Sequence, residues 1–184
     1  MNKRISIGEV KNAVQEILRQ MHLDNFRPNY VVGITRGGLL PAKMISHYLK
    51  VPMYTLDVSL RDNVQEGPES NLWMPCDAFG YIDEEERAIT KSRWDVSKRK
   101  KILIVEDIND SGATLNWIKQ DWQAGCFPDE SSWETVWNET VKFATLINNE
   151  SSSFDDVDYF ADTINRIETP DLWVDFPWES WWQD

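Results

Sequence analysis

At 184 residues, with 41% hydrophobic and 27% charged residues, the chain has the size and balance of one well-filled soluble domain rather than two. Its 31 acidic and 19 basic residues leave a net charge of −12, which speaks against a nucleic-acid partner because phosphate backbones demand Lys and Arg. Its two cysteines, Cys76 and Cys126, make neither a disulfide framework nor a zinc spacing, and no run approaches the ~18 apolar residues of a membrane span. The expected compartment is therefore the cytoplasm, with no membrane partner.

In chain order, Ser6 to Met21 carries apolar residues at Ile7, Val10, Val14, Ile17, Leu18 and Met21, which is helical spacing. Ser6 is its expected cap and Glu9 the partner in a capping box. Tyr30 to Ile34 reads as a strand broken by Gly37-Gly38, and Leu39 to Leu49 as a helix entered near Pro41. Pro52 marks the exit into a strand over Met53 to Leu60. Between Arg61 and Arg99 lies a long polar stretch with an apolar island at Leu72-Trp73-Met74-Pro75, read as a mobile hood with some structure of its own. Lys101 to Glu106 is a strand and Thr114 begins another helix, which completes a βαβαβ rhythm and predicts an α/β fold with a parallel sheet. Further on, Ser131 to Glu139 is expected to be a short helix with Trp133 and Trp137 on one face. Val141 to Ile147, Tyr159 to Ile164 and Leu172 to Phe176 complete the predicted strands. His22 and His47 fall on predicted helices without a second ligand at metal spacing, and are read as surface or packing residues.

The chemistry concentrates in three segments. Ile102-Leu103-Ile104-Val105 runs into Glu106-Asp107 and then a polar turn, Asp110-Ser111-Gly112-Ala113-Thr114, at a helix entry. A buried strand presents such carboxylates at the carboxyl edge of its sheet, where open α/β folds bind ligands. The turn can aim backbone N–H groups and hydroxyls at an anion. Carboxylates suit a sugar diol or a metal ion and the turn suits a phosphate, so a phosphorylated sugar bridging both is the economical ligand. Gly33-Ile34-Thr35-Arg36-Gly37-Gly38 forms a second strand–turn–helix junction that offers an anion nest and a cation. Pro170-Asp171-Leu172-Trp173-Val174-Asp175-Phe176-Pro177-Trp178-Glu179 places aromatic and acidic residues near the end of the chain.

The segment from Ile102 to Thr114 resembles the phosphoribosyl-pyrophosphate (PRPP) signature of type I phosphoribosyltransferases. The Arg-Gly-Gly turn resembles the pyrophosphate loop of bacterial and archaeal purine phosphoribosyltransferases, where the preceding peptide can be non-proline cis. Trp173 to Glu179 resembles the segment that closes the base pocket in xanthine–guanine and archaeal hypoxanthine–guanine branches. The resemblance implies one domain over 1–184, with a central, mainly parallel sheet in a core of about 30–147. It also implies a flexible loop of about 61–99 and a base-side segment of about 148–184. PRPP would be held by Glu106, Asp107, Asp110, Ser111, Gly112, Ala113 and Thr114, with Thr35, Arg36 and Gly37 on its pyrophosphate. Asp110 and Arg36 would be catalytic, and Glu106 and Asp107 would hold Mg²⁺. Trp173 would stack on a purine, and Asn149 with the backbone around Val174 and Asp175 would read its edge.

The implied reaction transfers ribose 5-phosphate from PRPP to hypoxanthine, guanine or xanthine in a homodimer or higher homo-oligomer. One departure bears on the base: Asn149 stands where purine-salvage relatives carry a lysine that contacts the 6-oxo group, and a shifted alignment to Lys142 fits poorly. The lid Ser-Tyr pair is also altered, with Ser59-Leu60 near its place. Two other readings stay open at the level of sequence: a PRPP- or nucleotide-binding regulator without turnover, and a phosphoribosyltransferase for a non-purine acceptor.

Overall fold

The computed structural model describes residues 2–58, 68 and 70–183. Five parallel strands form the central sheet in the order β3-β2-β4-β5-β6: β2 (Tyr30–Ile34), β3 (Met53–Leu56), β4 (Ile102–Asn109), β5 (Val141–Asn149) and β6 (Tyr159–Ile164). The α/β architecture with a parallel sheet is as the sequence rhythm predicts. β2 and the apolar half of β4 are buried without alternation, as strands covered on both faces must be.

One face of the sheet carries α1 (Ile7–Leu23) and α2 (Leu39–Leu49). The Ser6–Glu9 capping box forms at the start of α1, and Val10, Val14, Ile17 and Met21 bury the stripe that the spacing predicts. They pack with Val31, Leu103 and Ala144 on that face of the strands. The opposite face is covered by α5 (Ala113–Gly125), through Leu115, Ile118 and Trp122.

Beside α5 lies the main departure from expectation. The segment read as a mobile hood holds α3 (Trp73–Phe79) and α4 (Glu84–Thr90). Met74, Ala78 and Phe79 are buried in the same cluster as Tyr30, Ile104 and Trp122. Phe79 sits among Trp94, Phe127 and Trp133 at ring separations of 5.1–5.5 Å. α3 is therefore part of the core, packed with residues of β2 and β3, whereas α4 buries none of its residues. β3 ends at Leu56, short of the predicted Leu60, since Asp57 and Val58 have left the strand; Ser59-Leu60 and the rest of 59–67 lie outside the described residues.

Other boundaries shift modestly. β4 runs three residues past Glu106 because Ile108 and Asn109 continue to pair with Ile147 and Asn148. The segment with Trp133 and Trp137 is a short helix, Trp133–Thr135, continued by a π turn, Val136–Thr140. The two indoles stack at 5.0 Å on one face, as the spacing predicts. An unforeseen strand β1 (Asn2–Arg4) pairs in parallel with β7 (Trp173–Asp175) and ties the two ends of the chain together. Lys142, at the amino end of β5, faces Asp24 and Asp158 at 3.3 and 3.5 Å, far from the carboxyl edge of the sheet.

Candidate active site

The chain leaves β2 toward β3 on one side and returns to β4 on the other, so the strand order reverses between β2 and β4. Ligands of open parallel sheets sit beyond the carboxyl ends of the strands at such a reversal. A cleft of about 210 Å³ lies there, lined by Ile34, Thr35, Val58 and the run Glu106–Leu115.

The end of β4 brings its two acids to this cleft. The Asp107 N–H donates to Glu106 Oε1 at 3.1 Å, and the Ile108 N–H donates to Asp107 Oδ1 at 2.8 Å. Burial pushes the Asp107 carboxyl above its ordinary range, outweighing its hydrogen bonds with the Glu106 side chain and the Ile108 N–H, and the nearby Glu179 carboxylate pushes the same way. Gly37 makes the packing possible, because a Cβ there would collide with the Asp107 carboxylate. A Cβ at Gly38 would strike the carbonyls of Ile34 and Val105. The two glycines thus let the turn after β2 lie directly on the end of β4. Within that turn the Thr35–Arg36 peptide is cis, Thr35 lines the cleft and Arg36 is exposed beside it.

Asp110 to Thr114 lines the cleft at the start of α5, where the Ala113 N–H donates to the Ser111 hydroxyl at 3.3 Å. Gly112 has φ +85°, a conformation L side chains rarely adopt. A Cβ on it would also meet the Phe154 nitrogen and the Ser152 and Ser153 hydroxyls. Those residues form a platform beneath the turn. Ser153 donates to the Ser111 carbonyl through its N–H at 3.1 Å and its hydroxyl at 2.7 Å. Buried Asn109 donates to Asn148 Oδ1 and the Phe154 carbonyl, both at 2.8 Å, and accepts from the Ser152 hydroxyl at 3.0 Å. Ser153 therefore fixes the backbone of the turn, while the Asn109 amide ties the end of β4 to the end of β5 and to the platform.

Asp110 and Ser111 also border a second, wider cleft of about 770 Å³, shared with Asn149, Arg166, Asp171 and Trp173. Asp110 is held from two sides. Its carbonyl accepts from Asn149 Nδ2 at 2.7 Å, and its carboxylate takes a forked pair from Arg166, Nε to Oδ1 at 2.8 Å and Nη2 to Oδ2 at 3.2 Å. Asn149 Oδ1 accepts from the Ser151 N–H and hydroxyl and from the Arg166 N–H. Asn149 is buried, and both ends of its amide are engaged in this scaffold at the border of the cleft. Trp173 is 55% exposed and walls the cleft. Val174 and Asp175 do not line it: Val174 is buried in the β1–β7 pair, and Asp175 accepts from Arg4 at 3.3 Å and from Ser180 at 3.1 Å. Arg166 was not foreseen. It follows a weak strand and belongs to no local motif, and only the β5–β6 register, with Asn149 opposite Ile164, carries it to Asp110.

Two adjacent carboxylates, Glu106 and Asp107, line the cleft and could hold a metal. Among the described residues no group of three or more His, Cys, Asp and Glu side chains gathers as a cage. Two carboxylates beside an anion cradle fit Mg²⁺, which keeps waters and substrate phosphate oxygens as its other ligands. Among the described residues, no helix is long and apolar enough to cross a membrane.

Comparison with known proteins agrees with this geometry. The profile of the family described as phosphoribosyl transferase domain matches residues 6–181. The hypoxanthine-guanine phosphoribosyltransferase of Schizosaccharomyces pombe is 23% identical over 181 residues, spanning 86% of this chain and 80% of that one. Xanthine phosphoribosyltransferase 1 of Saccharomyces cerevisiae is 24% identical, spanning 96% of this chain and 88% of that one. Among solved structures, the xanthine-guanine-hypoxanthine phosphoribosyltransferase of Helicobacter pylori superposes with a TM-score of 0.63 at 18% identity, covering 100% of this chain and 97% of that one. The purine phosphoribosyltransferase of Pyrococcus horikoshii gives 0.62 at 20% identity, covering 97% and 94%.

Proposed function

The chain belongs to the phosphoribosyl transferase domain family, and from that membership we propose that it transfers the ribose 5-phosphate of PRPP to a purine, releasing pyrophosphate. The observation that carries the reading is the pairing of two clefts across Asp110: one with paired carboxylates and an anion cradle, the other with an exposed tryptophan face. The first suits PRPP and the second a flat base. Relatives named for hypoxanthine, guanine and xanthine favour a 6-oxopurine as the acceptor. The free thiols Cys76 and Cys126 are consistent with a reducing cytoplasm.

In this account the first N–H groups of α5 and the Ser111 and Thr114 hydroxyls bind the 5′-phosphate. Glu106 and Asp107 orient the ribose hydroxyls and place negative charge beneath C1′, where cationic character develops as the bond to pyrophosphate breaks. Bound Mg²⁺, held by these carboxylates, would supply charge neutralisation for the pyrophosphate. Arg36 and the backbone around Gly37 bind the departing group on the opposite side. Trp173 stacks on the incoming base, a contact of roughly 1–3 kcal/mol. Asp110 lies between the clefts and takes the proton from the base nitrogen as the new glycosidic bond forms.

Calorimetric titration with PRPP, with and without Mg²⁺, tests the first cleft. The account predicts tight binding that requires Mg²⁺ and a loss of ten-fold or more when Glu106→Gln and Asp107→Asn are combined. Absence of PRPP binding to the unmodified protein would overturn the proposal.

A further inference from the structure

The second cleft contains a group that the PRPP chemistry does not use. Among the described residues that line it, Arg166 is the single cation, and Asp110 and Asp171 are the acids. Its backbone is fixed: the Arg166 N–H donates to buried Asn149 Oδ1 at 3.1 Å. The turn that follows is closed by Thr169 N–H to the Asn165 carbonyl at 2.9 Å, with Asn165 Oδ1 accepting from Ile167. Its side chain is 22% exposed, so the guanidinium is shielded yet reachable from the cleft.

The forked pair with Asp110 uses the Nε and Nη2 edge of the guanidinium. A guanidinium has five N–H donors in a fixed plane. Three therefore lie outside this pair, and two of them, one each on Nη1 and Nη2, run parallel along the far edge. Such an edge matches two adjacent acceptors in one plane. A 6-oxopurine presents that pattern at its oxygen and the neighbouring N7, and Arg is the side chain that most often reads it. Adenine presents an amino donor in place of the oxygen, so the same edge would set donor against donor.

Resting on the purine-transfer reading above, we propose that Arg166 is the specificity-determining residue of this site, selecting 6-oxopurines through the guanidinium edge that its pair with Asp110 leaves over. Asp110 sets the plane of the guanidinium, and Trp173 supplies the stacking face beside it. Because the cation comes from beyond β6, the end of β5 is left to hold the scaffold through Asn149.

The test compares the unmodified protein with Arg166→Gln and Arg166→Lys in steady-state transfer to hypoxanthine, guanine and adenine, with PRPP affinity measured in parallel by calorimetry. The proposal predicts a KM for the 6-oxopurines raised ten-fold or more in Arg166→Gln, with PRPP affinity within about three-fold of the parent. It also predicts that preference over adenine falls by a similar factor, and that Arg166→Lys recovers part of both. A kcat loss with unchanged base KM and unchanged discrimination would overturn it, reducing Arg166 to a prop for Asp110. If Arg166→Gln does not fold, Arg166→Lys decides alone: a base KM and discrimination equal to the parent's overturn the proposal, and an intermediate shift supports it. An unmodified protein that binds PRPP but turns over no base overturns the function itself, and is distinguished by failing before any variant is compared.

Discussion

Asp110 is the residue on which both clefts depend, and its surroundings show how a single carboxylate is aimed. Its main chain is anchored by Asn149 and its carboxylate by Arg166, so rotation about either end breaks a hydrogen bond in a partly buried place. Asp110→Asn preserves size but removes proton acceptance. The expected outcome is a kcat lower by about 10²–10⁴-fold with PRPP affinity within a few-fold, as steady-state kinetics and calorimetry would show. Full turnover in that variant would remove Asp110 from the proton path. The acidic pair and the turn after it were readable because all lie within nine residues, Glu106 to Thr114. Asn149 and Arg166 were not readable in these roles, since each acts through a partner 39 or 56 residues away and only strand register brings them together. The pairing of Val174 and Asp175 with β1 was not readable for the related reason that β1 is three residues long and without a pattern.

At the scale of elements, the strands and long helices follow from periodicity, and α2 begins and ends where the proline and glycine punctuation puts it. α3 did not follow, because seven residues span less than two full turns and contain Pro75. What decides its state is burial: Phe79 is 0% exposed within an aromatic cluster that includes Trp94, Phe127 and Trp133. If this element is core, Phe79→Ala should destabilise the fold by about 3–5 kcal/mol in denaturant unfolding, as large-to-small aromatic substitutions in cores do. A change below about 0.5 kcal/mol would return the segment to the mobile hood that its composition suggests. The apolar island Leu72-Trp73-Met74-Pro75 was the signal that the stretch was more than a solvent loop.

Across the whole molecule, two apolar clusters on opposite faces hold one parallel sheet, and the candidate site residues occupy its carboxyl edge where the strand order turns back. This division leaves the core to set geometry while short polar loops carry the chemistry. In the proposed account the net charge of −12 is compatible with an anionic substrate, because the cradle would work through local amides, Arg36 and a bound cation rather than through the global field. The measurement that bears most directly on the central claim is pyrophosphate release from PRPP with Mg²⁺, scanned over hypoxanthine, guanine, xanthine, adenine, uracil and orotate, with the nucleotide product identified. The account predicts release that depends on one or more 6-oxopurines and yields the matching nucleoside 5′-monophosphate. Release that depends on none of the purines, or silence with every base despite PRPP binding, would contradict it.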